Sequence, residues 1–148
     1  GTGRRFEVKG TVHGIRVIDD YGHHPTEIHV TLEAARRFAD AGRLIVIFQP
    51  HRYSRTQAFA QQFAKELDVA DRAILLEVYA ASEKPIEGVN SKIITSKMSK
   101  GEYIPNFVEV TDSVIADAQP GDVIMTLGAG DVSSLAPIIV EGLTRRFA

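Results

Sequence analysis

Residues Asp19–Glu27 read DDYGHHPTE, and they stand where one residue pattern gives way to another. Before them Ile15, Val17 and Ile18 form a β-type run. After them Ile28, Leu32, Ala35 and Phe38 or Ala39 recur at helical spacing. That change of period predicts a strand feeding a helix across a polar junction. In an α/β fold the carboxyl ends of strands face the ligand crevice, so a junction this rich in carboxylates, imidazoles and a phenol reads as a site.

Working outward, Arg4 to Thr11 and Ile15 to Ile18 are expected to pair as a hairpin through a tight turn at His13-Gly14. Thr26 is the expected helix N-cap, with Pro25 before it, and Gly42 the expected stop. Leu44 to Phe48 (LIVIF) is a continuous apolar run, as a parallel strand covered on both faces requires. QPHRYSRT is then a polar loop, and Phe59, Phe63 and Leu67 mark the next helix. Ala73 to Val78 reads as a strand and YAASEKPIEGVN as a long loop. Ser91 to Lys100 reads as a short helix, Phe107 to Val110 as a short strand, and Asp112 to Ala118 as a helix stopped by Pro120-Gly121. Val123 to Leu127 (VIMTL) is the last buried strand, and Gly128-Ala129-Gly130-Asp131 turns into a closing helix carrying Leu135, Ile138, Leu143 and Phe147, with Pro137 near its start. The alternation predicts a single Rossmann-like α/β domain over residues 1–148: three layers, a mostly parallel sheet, and an antiparallel N-terminal hairpin at one edge.

Composition narrows the function classes. The chain has 148 residues, a formal charge of −2 and no cysteine. It therefore has no disulfide framework, no thiolate chemistry and no general attraction for nucleic acid. No apolar run reaches membrane-spanning length, and GTGRRF is not a signal peptide, so a cytoplasmic protein is expected. The abrupt start, without Met, reads as a boundary inside a longer protein. GxxxxGK[ST], GxSxG and HExxH are all absent from the sequence, so any use of ATP needs phosphate machinery elsewhere.

Three strand-to-helix junctions carry polar clusters: after Ile18, after Phe48 and after Leu127. In a parallel sheet all three open on one rim. The first holds Asp19, Asp20, Tyr21, His23 and His24. The plain alternative is a capping Asp beside surface histidines. Adjacent residues in extended chain point apart, which argues against a shared metal ion. The second, His51, Arg52 and Arg55, combines positive charge with free N–H groups at a helix start, an anion site in which Arg matches a carboxylate or phosphate. Its plain alternative is a solvated basic loop. The third, Gly128-Ala129-Gly130, is not a dinucleotide fingerprint, since Ser133 takes the third glycine position. It reads as close packing of strand on helix.

Five motifs in order now carry a resemblance: GTGRRF (Gly1–Phe6), DDYGHHPTE, FQPHRYSRT (Phe48–Thr56), LLEVYAASE (Leu75–Glu83) and PGDVIMTLGAGD (Pro120–Asp131). Together they resemble the C-terminal domain of the Mur ligases of peptidoglycan synthesis, over nearly the whole chain. Tyr21-Gly22 and the HRYSRT pattern are similar to the alanine-adding members rather than to the ligase that recycles murein tripeptide. The resemblance implies an ATP- and Mg2+-dependent ligase that joins L-alanine to UDP-N-acetylmuramate through an acyl phosphate. It further implies that this domain closes on an N-terminal UDP-sugar domain and a central ATPase domain, and that alone it is inactive and holds no cofactor tightly. By the same resemblance Arg5 reaches the nucleotide phosphates and Asp20 the ribose hydroxyls. His51, Arg52 and Arg55 face the amino-acid and product carboxylate, and Tyr21 and His23 lie near the alanine; Arg4, Asp19 and His24 are their neighbours. The tripeptide-recycling ligase and a non-catalytic anion-binding module are the alternatives.

Overall fold

The computed structural model describes residues 5–148; the expected role of Arg4 and the start of the GTGRRF motif lie outside them. Strand β1 (Glu7–Val12) turns through His13 (φ 52°) and Gly14 (φ 78°) into β2 (Ile15–Asp20), antiparallel as expected. Two successive positive φ angles give the turn whose twist matches a hairpin. His13 accepts that backbone while stacking on Phe147, ring centroids 4.2 Å apart.

The chain continues through α1 (Pro25–Ala39), β3 (Leu44–Phe48), α2 (Tyr53–Leu67), β4 (Arg72–Leu75), α3 (Lys92–Thr95), β5 (Gly101–Tyr103), α4 (Phe107–Asp117), β6 (Val123–Leu127) and α5 (Leu135–Arg146). The sheet order is β1-β2-β6-β3-β4-β5, with every pairing but β1–β2 parallel. Strand β6 thus enters last and lies between β2 and β3. The period of two along LIVIF divides the core. Leu44, Val46 and Phe48 face α1 and α2, where they meet Ile28, Leu32, Phe63 and Leu67. Ile45 and Ile47 face α4 and α5, where they meet Val110, Val114, Ile139 and Leu143. Each fully buried side chain of the size of Phe63 contributes roughly 1.5–3 kcal/mol from burial.

Several boundaries differ from the sequence expectation, each for a local reason. Helix α1 is capped by His24, not Thr26. His24 Nδ1 accepts from the Thr26 N–H at 3.4 Å, and Glu27 Oε1 accepts from the His24 N–H at 3.1 Å. Pro25 then takes the first helical position, where its missing N–H costs nothing. The HRYSRT motif is loop only to Arg52; Tyr53 already opens α2, which kinks at Phe59.

Strand β4 ends at Leu75 rather than Val78, because the Glu77 carboxylate takes the N–H of Val78 and of Ser91. The expected helix over Ser91 to Lys100 shrinks to one turn, and the Asp68 carboxylate holds the N–H of Ser99 beyond it. Phe107 to Val110 is helix, not strand. FVEV mimics strand alternation over four residues, but Asn106 accepts from the Glu109 N–H at 3.0 Å and caps a helix there. The edge strand is the preceding Gly101–Tyr103. In α5 the buried row is Leu135, Ile139 and Leu143, which leaves Ile138 48% exposed.

Candidate functional site

Strands β2, β6 and β3 are adjacent and parallel, so the three polar junctions do open on one rim. The adjacent carboxylates of the first junction part at once. Asp19 is fully buried and accepts from the Thr126 hydroxyl of β6 at 2.6 Å. Asp20, 2% exposed, turns the other way. Its Oδ2 accepts from the Phe6 N–H at 2.8 Å, and its Oδ1 from the Gly22 N–H at 2.8 Å and the Thr31 hydroxyl at 3.2 Å. The carboxylate thereby ties the start of β1, the junction and α1 together. A carboxylate has about four lone-pair positions, so three protein donors leave one acceptor position on Oδ2. Arg5 is exposed beside it and pairs with Glu27 at 2.6 Å.

Two imidazoles from different junctions come together on this rim. The His23 and His51 ring centroids lie 5.3 Å apart, with Tyr21 edge-on to His23 at 5.1 Å. His23 Nδ1 lies 3.1 Å from the Tyr21 carbonyl oxygen and 3.6 Å from Glu27. Arg55 Nη1 approaches His51 Nδ1 at 3.4 Å, which makes that nitrogen the acceptor and places the ring proton on Nε2. Burial, and then the positive charges of His23, Arg55 and Arg52, hold the His51 imidazole below its ordinary value. His24 points elsewhere, its ring 5.2 Å from Phe59.

Arg52 is the N-cap of α2 and has φ 75°, ψ 138°, backbone that disfavours any L side chain. The expected free N–H groups of that helix start are partly taken. The Glu83 carboxylate accepts from the Ser54 N–H at 2.9 Å and from the Ser54 hydroxyl at 2.5 Å. The Ser54 N–H is therefore already engaged within the chain. Gly128 and Gly130 are closely packed, but chiefly against the loops after β3 and β4 rather than strand on helix: a Cβ on Gly128 would meet the Gln49 carbonyl at 2.8 Å, and one on Gly130 would meet the Gln49 side chain and Tyr79 Cγ at 2.6 Å. Gln49 fastens the two loops, donating to Asp131 at 2.7 Å and accepting from the Val132 N–H at 3.1 Å.

Four contributors escaped the sequence reading: Glu27, Gln49, Tyr79 and Glu83. Tyr79 stacks on His51, centroids 5.7 Å apart. Two had a visible signal, Glu27 by closing the DDYGHHPTE stretch and Glu83 by closing the LLEVYAASE motif. A groove of about 320 Å³ between α1 and α2, lined by Pro25, Thr26, His29, Gln62, Lys65 and Glu66, is separate from the polar rim. There His29 bridges Glu33 (2.6 Å) and Glu66 (2.8 Å), and its hydrogen bond to Glu66 raises its proton affinity.

The two histidines give opposite expectations in an NMR titration: His29 deprotonates above the ordinary imidazole value and His51 below it. Stability contributed by His29 is present at low pH and lost as pH rises through its folded value. Stability contributed by His51 is present at higher pH and lost as pH falls below its unfolded value. Glu66→Gln brings His29 down, and Arg55→Gln brings His51 part of the way up, because burial remains. Unchanged midpoints in both variants would refute these assignments.

Among the described residues no group of three or more acidic or imidazole side chains is placed to hold a metal ion, and no helix is long and apolar enough to cross a membrane.

Comparison with known proteins adds a lineage. Residues 4–130 match the family model described as "Mur ligase, glutamate ligase domain". The UDP-N-acetylmuramate–L-alanine ligase of Paenarthrobacter aurescens is 50% identical over 143 residues, 97% of this chain and 31% of that protein. The enzyme of the same name from Mycobacterium ulcerans is 49% identical over 150 residues, 99% of this chain and 31% of that protein. The chain thus spans about a third of the length of these relatives. The solved UDP-N-acetylmuramate-alanine ligase MurC of Thermotoga maritima superposes with a TM-score of 0.78 at 28% identity, covering 97% of this chain and 30% of that one. A murein peptide ligase from Psychrobacter arcticus, at 22% identity and a TM-score of 0.79 over 96% of this chain and 30% of that one, shares the fold.

Proposed function

The chain belongs to the Mur ligase family, as its glutamate ligase domain, and from that premise we propose that it is the C-terminal part of a cytoplasmic ligase joining L-alanine to UDP-N-acetylmuramate in peptidoglycan synthesis. The observation that carries this reading is the meeting of His23, His51 and Arg55 from two distant junctions on one rim, beside Arg52. Two guanidiniums and a neutral imidazole suit a small carboxylate: the arginines supply charge and paired donors, and the imidazole supplies a donor at Nε2. Tyr21 and His23 wall the position where the rest of a small amino acid is held. The rim is an open surface, so its cations act strongly on a substrate only when other domains close on it and exclude water.

ATP, when bound, supplies the phosphoryl group that activates the sugar carboxylate. This chain offers the nucleotide Arg5, exposed enough to exchange Glu27 for a phosphate, and the remaining acceptor position of Asp20 for a ribose hydroxyl. Mg2+ and the phosphate loop belong in this reading to the rest of a three-domain enzyme, and the 148-residue chain alone turns over no ATP. The names of the relatives at 49–50% identity favour alanine over the murein tripeptide as the substrate.

The test is phosphate release by the full-length protein supplied with ATP, UDP-N-acetylmuramate and either L-alanine or the tripeptide. Release that requires L-alanine supports the reading. Release with tripeptide alone moves the chain to the recycling enzyme. No release with either leaves an anion-binding module.

A further inference from the structure

Arg52 and His51 stand on a short stretch whose geometry is imposed from outside. Beyond β3 and β4 the two chains stay paired: the Tyr79 N–H donates to the Pro50 carbonyl and the Arg52 N–H to the Tyr79 carbonyl, both at 2.8 Å. His51 and Tyr79 form an isolated parallel bridge there. The chain after Tyr79 then folds back through Ala81 (φ 53°) and Ser82 (φ 71°), two successive left-handed residues without a glycine. Backbone held this way costs free energy at each residue and persists only where the surroundings over-determine it. What it achieves is to bring Glu83 onto the first turn of α2. There its two oxygens take the N–H and hydroxyl of Ser54, the task that Arg52, the N-cap itself, leaves undone with its side chain. Three strained non-glycine residues, Arg52, Ala81 and Ser82, therefore surround one carboxylate clamp two positions from Arg52 and one from Arg55.

We propose that Glu83 is a positioning residue for the carboxylate-binding arginines: by clamping Ser54 to the Tyr79–Glu83 loop it fixes the backbone from which His51, Arg52 and Arg55 project. The proposal rests on the carboxylate-site reading above. Glu83 touches no substrate in it and acts through the peptide it holds. Its acceptor oxygens matter more than its charge. Glutamine retains an acceptor for the Ser54 N–H, and its amide donates to the Ser54 hydroxyl, which can turn to accept.

The experiment uses the full-length ligase and measures KM for L-alanine, KM for ATP, kcat and Tm. Glu83→Ala is expected to raise KM for L-alanine about tenfold or more, the scale of a displaced binding group, with KM for ATP held within about twofold. Glu83→Gln is expected to recover KM for L-alanine to within about threefold of the parent, and Ser54→Ala to show a smaller rise than Glu83→Ala. A loss of affinity for all substrates in step with Tm would mark a merely structural residue and overturn the proposal. So would an unchanged KM for L-alanine in Glu83→Ala. Arg52→Ala, run alongside, separates the two levels. If it raises KM for L-alanine while Glu83→Ala does not, only the positioning role fails; if it too leaves KM unchanged, the carboxylate-site reading fails first. Should Glu83→Ala not fold, Ser54→Ala alone decides: no rise in KM for L-alanine then sinks the idea.

Discussion

Asp20→Ala lowers the stability of this chain by about 3 kcal/mol, because it removes one acceptor group from three buried or partly buried donors. The Phe6 N–H, the Gly22 N–H and the Thr31 hydroxyl all end on this carboxylate, and the site is 2% exposed, so solvent replaces them poorly. The donors come from three different segments: the approach to β1, the junction after β2 and the second turn of α1. Loss of the carboxylate therefore loosens the hairpin edge and the junction together. Asn at this position keeps one acceptor oxygen and loses roughly half as much, and Thr31→Val removes a single hydrogen bond for about 1 kcal/mol. Urea unfolding checks the series, with the midpoint falling and the slope unchanged. A shift below 1 kcal/mol in Asp20→Ala would show that the carboxylate's protein contacts carry no weight.

The same residue shows what the sequence makes legible. Asp19 and Asp20 stand out as chemistry, and the argument that neighbours in extended chain point apart assigns them to different surroundings, as the structure shows. What the sequence does not show is that both are buried. Burial here depends on Thr126, more than a hundred residues away, and on Phe6, placed by the hairpin. The parallel core was readable because LIVIF and VIMTL are apolar on both faces, a pattern that tolerates few other structures. Short elements were less readable. FVEV fits a strand by alternation and a helix by its cap, and only Asn106 decides between them. Glu83 closes a visible motif, but its contact with Ser54 was not readable: two left-handed residues without a glycine give no local signal of the turn that delivers it.

The second large effect falls on Arg52 and separates stability from function. Under the carboxylate-site reading, Arg52→Ala in the full-length enzyme lowers kcat/KM for L-alanine about 100-fold, the scale expected for a charge-assisted donor lost from a water-excluded site. Lysine restores the charge without the planar fork and recovers only part of that loss. Arg55→Ala acts on the same group, so the double variant falls short of the sum of the single losses. Arg52→Gly is the sharper test. At φ 75°, ψ 138° any L residue is strained, and glycine removes that strain at a cost in chain entropy. The variant is therefore at least as stable as the parent, by up to about 1 kcal/mol, while its kcat/KM falls as far as that of Arg52→Ala. This variant separates what the Arg52 side chain binds from what its backbone does. If Arg52→Gly keeps full activity, Arg52 has no part in holding the substrate carboxylate, and the strain at this junction must serve the backbone alone.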